Sequence, residues 1–239
     1  MGLKDKRIVV LGGSSGIGLA VAQAAAAQGA HLVIASSNSA RLSDALAALP
    51  PGTEGRALDL TNAPAVKAFF DSTGGFDHLV YTAGESLKLA PIADSDLASA
   101  RRFFDLRYWG AFTAAKEAHR SIRPGGSIVF TSGVAGARPR SGWSLAASIC
   151  SAMEGLTRAL AVELAPVRVN IVSPGVVNTP LWREMTSEAR DALYRAEAQR
   201  LPVGHVAEPQ EIAAGYLYLM GQTFVTGQTL AIDGGGLLV

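Results

Sequence analysis

Short apolar runs separated by segments of helical period repeat along this chain. Runs rich in Val, Ile, Leu and Ala fall near 7–11, 31–36, 55–58, 76–81, 125–131, 166–173 and 228–232. That is the length and texture of strands buried on both faces. Between them, stretches near 16–28, 39–48, 62–72, 100–121, 143–164, 181–199 and 208–221 carry helical patterning. The alternation predicts an α/β fold: a doubly wound parallel sheet of about seven strands with helices on both faces. Pro50-Pro51-Gly52 and Pro124-Gly125-Gly126 read as turns, because periodic structure resumes at once. No repeat or low-complexity tract divides the chain, so residues 1–239 are expected to form a single domain.

The first strand-to-helix junction carries the clearest chemistry. Ile8-Val9-Val10-Leu11 runs into Gly12-Gly13-Ser14-Ser15-Gly16-Ile17-Gly18, which opens an Ala-rich stretch ending at Gln28-Gly29. Glycines let the backbone approach a pyrophosphate, and a helix start offers free N–H groups and the positive end of its dipole. Strand, glycine turn and helix in that order point to a dinucleotide site. At the end of the second strand of such a site, an acidic residue holds a ribose 2′-hydroxyl and repels a 2′-phosphate. This chain reads Ile34-Ala35-Ser36-Ser37-Asn38, with Arg41 one helical turn on. Hydroxyl, amide and guanidinium donors favour NADP(H) over NAD(H). The alternative is that Asn38 or Ser39 caps the next helix.

The spacing Gly12-x-x-x-Gly16-x-Gly18, followed by Asp59-Leu60, Ala83-Gly84, Pro174-Gly175 and Asp233-Gly234-Gly235, resembles the short-chain dehydrogenase/reductase family over essentially the whole chain. The segment 154–164 and Val167-Arg168-Val169-Asn170 are similar to its most common branch. The resemblance implies a Rossmann-type fold and a nicotinamide dinucleotide contacted by Gly12, Ser14, Ser15, Gly16, Ile17, Gly18, Ser36, Ser37 and Asn38. It implies Asp59, with Leu60 beside it, at the adenine amino group, and Ala83 and Gly84 beside the adenosine ribose. Thr179, after Pro174 and Gly175, resembles the residue that meets the nicotinamide amide. Tyr81-Thr82 stands where relatives usually carry two asparagines.

Typical members of that family reduce carbonyls with four side chains. A Tyr donates the proton, and a Lys four residues later, on the same helix face, lowers its pKa and holds the ribose. A Ser thirteen residues upstream polarises the substrate oxygen, and an Asn on the preceding helix orders a water. With the register set by Glu154-Gly155-Leu156, Ala146 replaces the Tyr, Cys150 the Lys, Gly133 the Ser and Arg107 the Asn. No Tyr occurs between Pro139 and Cys150, so no ungapped shift restores the motif. Losing a positioned acid removes a factor of about 10²–10⁴ in rate.

Substitutes are few. Cys150 is expected to be inert filler. Strand alternation aims Ser132 at the face opposite Gly133, and Ser144 and Ser148 lack an activating base. Tyr108 is expected in an interface helix and Tyr194 in a lid helix. Arg107 keeps a cation near the cavity but cannot serve as an acid. It either clamps an anion with Arg138 or Arg140, or pairs with Glu85. The volume left by three shortened side chains favours Arg107 swinging in to bond a cofactor ribose.

Composition narrows the rest. An apolar share of 49% is ample for a large core, and a net charge of +1 gives no case for nucleic acid or an anionic membrane as partner. No apolar run is expected to reach a membrane span. The single Cys150, a first segment without a secretory pattern, and Lys6 where a myristoylation signal wants Ser or Thr predict a cytoplasmic location. His31, His78, His119 and His205 lack ligand spacing, so no metal is expected. Phe103, Phe104, Leu106, Phe112 and Leu160 on the segments 100–121 and 143–164, with the apolar end 234–239, predict self-association as a dimer or tetramer. Two functions fit: an oxidoreductase with an unusual proton source, acting on a small apolar or acidic molecule near Trp143, Leu181 and Trp182, or a non-catalytic NADP(H)-binding sensor or assembly subunit.

Overall fold

The computed structural model describes residues 2–86 and 89–239. The strands are β1 (Arg7–Leu11), β2 (His31–Ser36), β3 (Glu54–Ala57), β4 (Phe76–Tyr81), β5 (Ile122–Thr131), β6 (Arg168–Pro174) and β7 (Thr229–Ile232). The helices are α1 (Gly16–Ala27), α2 (Ser39–Ala47), α3 (Ala63–Thr73), α4 (Leu97–Phe104), α5 (Ala111–Ala118), α6 (Ser144–Glu163), α7 (Ser187–Arg200) and α8 (Pro209–Gly221). The sheet is parallel throughout, in the order β3-β2-β1-β4-β5-β6-β7. Strand order therefore reverses between β1 and β4, where such sheets bind ligands.

Alternation along the strands builds two cores. Val9, Leu11, Leu79, Ile128 and Ile171 face the layer containing α3, α5 and α6. Ile8, Val10, Val80, Val129 and Val172 face the layer of α1 and α8. Beneath the sheet's centre, His78 Nδ1 lies 2.9 Å from Ser127 Oγ in a buried contact. The buried Arg168 donates to the carbonyls of Leu219 and Met220 at 2.7 and 2.9 Å.

Four expectations are corrected. The helix expected at 100–121 is broken into α4, a π-helical segment Asp105–Gly110, and α5. The helix expected at 181–199 begins as a 3₁₀ turn, Pro180–Trp182, and α7 starts only at Ser187, where Thr186 accepts from Ala189 N at 3.2 Å. Pro124-Gly125-Gly126 bulges within β5 rather than preceding it, because pairing jumps from Phe76↔Ile122 to His78↔Ser127. Finally, α6 is long and apolar enough by length and composition to cross a membrane, with a mean hydropathy of 1.3. Its Met153, Leu156 and Leu160 are instead part of the core beneath the sheet.

Candidate functional site

A cleft of about 310 Å³ opens beyond the carboxyl ends of the strands and runs from β2 across the β1/β4 reversal to β6. Its floor is the glycine turn. Gly12 adopts a φ of 92°, and a Cβ there would sit 2.6 Å from Ala83 N. A Cβ on Gly18 would lie 2.3 Å from Gly12 O and 2.4 Å from Thr82 Oγ1. These glycines therefore press the turn and α1 against the end of β4, leaving a cradle that side chains would fill. Ser14, Ser15, Gly16 and Ile17 complete it, and no side chain caps the start of α1. Its first N–H groups are thus left for a ligand.

At the end of β2, Ser36 and Ser37 line the cleft and Asn38 does not. Asn38 Oδ1 accepts from Arg41 N at 2.8 Å, capping α2, so the helix-cap alternative describes this residue and its amide is withdrawn from the set of cleft donors. Ser36 Oγ bonds Ser14 Oγ at 2.8 Å and accepts from Asn38 N at 3.2 Å. Arg41 also lines the cleft, and its Nε is buried without a hydrogen-bond partner. Across from it, Asp59 Oδ1 accepts from Thr61 N at 2.9 Å and from Thr61 Oγ1 at 2.7 Å, which fixes the carboxylate beside Leu60. Ala83, Gly84, Pro174, Gly175 and Thr179 form the middle of the same wall.

Tyr81 and Thr82, where the resemblance placed two asparagines, tie the end of β4 to its neighbours. The buried Tyr81 phenol donates to Leu106 O at 2.6 Å, and its oxygen would lie 2.5 Å from a Cβ on Gly110. Burial pushes that phenol far above the usual tyrosine range. Thr131 Oγ1 donates to Tyr81 O at 2.7 Å. The bond to Leu106 O ties β4 to the π-helical segment, whose widened turn carries Arg107 into the cleft.

Arg107 lies over the Phe103 ring, 4.5 Å from its centroid, and Nη2 donates to Glu85 O. Its Nε stands 3.6 Å from Glu85 Oε2, an ion pair too long for a hydrogen bond. Burial raises the Glu85 carboxyl pKa despite the nearby guanidinium and lowers that of Arg107. The pairing with Glu85 is therefore the arrangement adopted. The expected clamp with Arg138 or Arg140 is not: Arg138 donates to Leu237 O at 3.0 Å, and Arg140 pairs with Glu197 on α7. From the loop before α6, both therefore reach other partners, in the C-terminal residues and on α7.

Around Ala146, Cys150 and Gly133 the walls are apolar. Ala146 and Cys150 are buried in a cluster with Phe103, Ala135 and Ile149, against which Trp143 packs. Gly133 has extended backbone, and a Cβ there would meet Cys150 Sγ at 3.3 Å. Burial pushes the Cys150 thiol up, so it stays protonated and unreactive. Ser132 borders the cleft, but its hydroxyl turns into α6, donating to Cys150 O and Glu154 Oε1, each at 3.2 Å. Ser148 donates to Ser144 O at 2.8 Å on the exposed side of the helix. Trp143, Leu181 and Trp182 line the far end, with Trp182 Nε1 donating to Val177 O at 3.0 Å. Among the described residues lining the cleft, the only carboxylate is Asp59, and no Lys, His or Tyr is present.

Sequence reasoning misplaced Phe103 and missed Ser86. Phe103, expected on an association face, is buried beneath Arg107, while Leu160 is buried in the core and Leu106 borders the cleft. The exposed aromatics nearby are Trp109 and Phe112: Trp109 packs edge to face on both Tyr108 and Phe112, and Phe112 stacks on Tyr108. Ser86 lies in coil, where no periodicity announces its direction. Among the described residues, no cluster of His, Cys, Asp and Glu is grouped to hold a metal.

A Rossmann-type sheet with this glycine cradle defines a dinucleotide-binding class. The family described as Enoyl-(Acyl carrier protein) reductase matches residues 12–236. The chain is 33% identical to the short-chain dehydrogenase/reductase malC of Malbranchea aurantiaca, over 99% of this chain and 96% of that protein. It is 34% identical to cis-4-hydroxycyclohexanecarboxylate dehydrogenase of Sinomonas cyclohexanicum, over 97% and 96%. A solved small-chain dehydrogenase in complex with NADPH superposes with a TM-score of 0.84 at 33% identity, covering 99% of this chain and 100% of that one. The chain belongs to the short-chain dehydrogenase/reductase family.

Proposed function

We propose that this chain is an NADP(H)-dependent oxidoreductase that reduces a C=C bond conjugated to a carbonyl on an apolar, ring-sized substrate. The observation that carries this reading is the combination of a cation, Arg107, with an apolar end of the cleft where phenol and ammonium are replaced by Ala146 and Cys150. A bound reduced nicotinamide supplies a hydride. Hydride addition to an isolated carbonyl leaves an alkoxide that needs a positioned acid, worth about 10²–10⁴ in rate. Addition to the β-carbon of an enone moves the C=C electron pair toward the oxygen and leaves an enolate. Its charge is spread over oxygen and carbon, and water can protonate the α-carbon. Arg107 cannot give up a proton, but its fixed charge beside the apolar walls stabilises that oxyanion. The same guanidinium has donors to spare for a cofactor ribose.

Ser36, Ser37 and the unpartnered Arg41 Nε support selection of a 2′-phosphate, as does the NADPH bound to a relative. The cyclohexane ring named in another relative's substrate supports a ring-sized ligand, and the walls of Phe103, Trp143, Ala146 and Ile149 favour an apolar one. The single cysteine supports the cytoplasmic expectation. Exposed Trp109 and Phe112 beside α5 and Val162 on α6 support self-association as a dimer or tetramer.

The test begins with calorimetric titration of NADPH and NADH. NADPH deuterated at the transferring carbon is then offered with cyclohex-2-enone or cyclohexanone. Expected are tighter NADPH binding and cyclohexanone carrying deuterium at the former β-carbon, with no cyclohexanol. Alcohol formation would overturn the enone assignment. Tight NADPH binding with no transfer to any acceptor would favour the sensor or assembly-subunit role.

A further inference from the structure

One hydroxyl at the cleft has no use in the fold. Ser86 is 5% exposed, lines the cleft, and its Oγ has no hydrogen-bond partner. Among the described residues it is the one Ser or Thr hydroxyl in that state. Of the other serine hydroxyls lining the cleft, Ser14 bonds Ser36 and Ser132 bonds Cys150 O and Glu154, while Ser15, Ser36 and Ser37 sit at the glycine turn and the end of β2, away from the apolar end. A buried hydroxyl left unpaired is costly, and serine in coil ordinarily bonds a nearby backbone group. Ser86 bonds none. It follows Gly84, where a Cβ would come within 2.6 Å of Arg107 Nη1, so this backbone passes directly over the guanidinium. The walls beyond it are Phe103, Trp143, Ala146 and Ile149, which offer no hydrogen-bonding side chain apart from the indole N–H.

We infer that Ser86 is a substrate-binding residue that donates a hydrogen bond to the carbonyl oxygen of an apolar ring ligand, on the same side as Arg107. This rests on the cleft being the substrate site and names the atom class it recognises. A single donor on an apolar wall fixes orientation: the oxygen is held at the Ser86 and Arg107 side, and the hydrocarbon fills the space beside Ala146 and Cys150.

The probes are cyclohexanone and methylenecyclohexane, which share a shape but differ in the acceptor oxygen. Their dissociation constants are measured by saturation-transfer NMR with and without saturating NADP⁺, so no hydride is available and cofactor binding is read separately from probe binding. The wild-type protein is expected to prefer cyclohexanone by about tenfold, a hydrogen bond's typical contribution. Ser86→Ala is expected to erase the preference, Ser86→Cys to retain part of it, and thermal unfolding of Ser86→Ala to occur at the wild-type temperature or above. A preference that survives in Ser86→Ala, no preference in the wild type, or a lowered unfolding temperature in Ser86→Ala would each overturn the assignment. Failure of enone reduction alone would leave this binding result standing.

Discussion

Replacing Glu197 with Gln should loosen the substrate end of the cleft while leaving the cofactor cradle intact. Glu197 on α7 has a side chain only 3% exposed and accepts from both terminal nitrogens of Arg140, with Nη2 to Oε2 at 3.2 Å, and from Arg200 Nη2 at 2.8 Å. Arg140 lies over the Trp143 ring at 5.1 Å, and Arg200 Nη1 donates to Gly236 O and Val239 O at 3.1 and 3.0 Å. One carboxylate thus joins α7, the loop carrying Trp143 and the C-terminal residues. Charged hydrogen bonds are worth about 1.5–3 kcal/mol each, and removing one partner of a buried pair costs about 3–5 kcal/mol. The side chains of Arg140 and Arg200 are 36% and 29% exposed, so both regain water when released. Gln also keeps the volume and one acceptor oxygen. A loss of about 2–3 kcal/mol follows, which for a chain of this size lowers Tm by about 4–12 °C.

The assay is thermal unfolding at neutral pH paired with hydrogen exchange. Exchange in α7, in residues 138–143 and in residues 233–239 should accelerate together. A Tm change below about 1 °C, or faster exchange confined to α7, would refute the argument. The pH dependence is a second check. Burial works to raise the Glu197 carboxyl pKa, but hydrogen bonds from Arg140 and Arg200 outweigh it, and the folded-state value lies below the ordinary 4.5. A depressed acid stabilises the fold above its unfolded pKa and loses that contribution as pH falls through the folded value. Wild type and Glu197→Gln should therefore converge in strong acid.

The other predictions are these. Burial, with a smaller contribution from the Arg168 charge, holds the His78 imidazole down to about 4, so the unfolded chain takes up a proton that the folded one refuses. Stability should fall as pH drops from about 6.5 towards about 4, and the urea midpoint of His78→Gln should depend on pH less steeply than the wild type across that window. Gly18→Ala forces a Cβ against Gly12 O and should cost about 1–3 kcal/mol in stability as well as weakening NADPH binding, read by urea titration and calorimetry; unchanged values would exclude the cradle. Ser36→Asp should move the preference towards NADH, and an unchanged ratio of dissociation constants would remove the 2′-phosphate argument. On the proposed self-association, the wild-type chain should scatter as a dimer or tetramer and Trp109→Glu as a monomer; a monomeric wild type would remove the proposal.

What the sequence made legible is what depends on local chemistry. Strands buried on both faces announce themselves as continuous apolar runs, and Gly12, Gly16 and Gly18 are readable because backbone approach needs glycine wherever it occurs. The break in the helix expected at 100–121 was not readable. The π-helical segment is met by a phenol, Tyr81, from a strand 25 residues away from the carbonyl it bonds. Phe103 was misplaced because a helix with apolar residues on two sides does not declare which side faces a cleft and which a neighbour. Arg138 and Arg140 were drawn to Arg107 by charge and proximity in the fold, while their partners lie far along the chain, at Leu237 and Glu197.

On the function proposed above, the apolar end of the cleft argues for a rebuilt site rather than a decayed one. Side chains lost at random would leave unpartnered polar groups on every side of the gap. Here the nearby unpartnered atoms, Ser86 Oγ, Arg107 Nε and Glu85 Oε2, belong to neighbouring residues, while Ala146 and Cys150 lie in an apolar cluster that Gly133 adjoins, and the hydroxyl of Ser132 is satisfied within α6. The new charge, Arg107, arrives with a counter-charge in Glu85 and an aromatic platform in Phe103. Together, Glu85 and Phe103 hold one guanidinium at the cleft wall. Such an arrangement is favoured only if the cation interacts with something that enters the cleft, because burying it for packing alone costs more than an apolar side chain of equal volume. Substituting Arg107 with Met, a side chain of similar length, should therefore leave the fold as stable or stabilise it when Glu85 is changed to Gln in the same protein. The same pair of changes should weaken the binding of NADPH or of an oxygen-bearing ring ligand. If the double variant instead unfolds more readily and binds both unchanged, the charge is structural, and the catalytic reading of this end of the cleft fails.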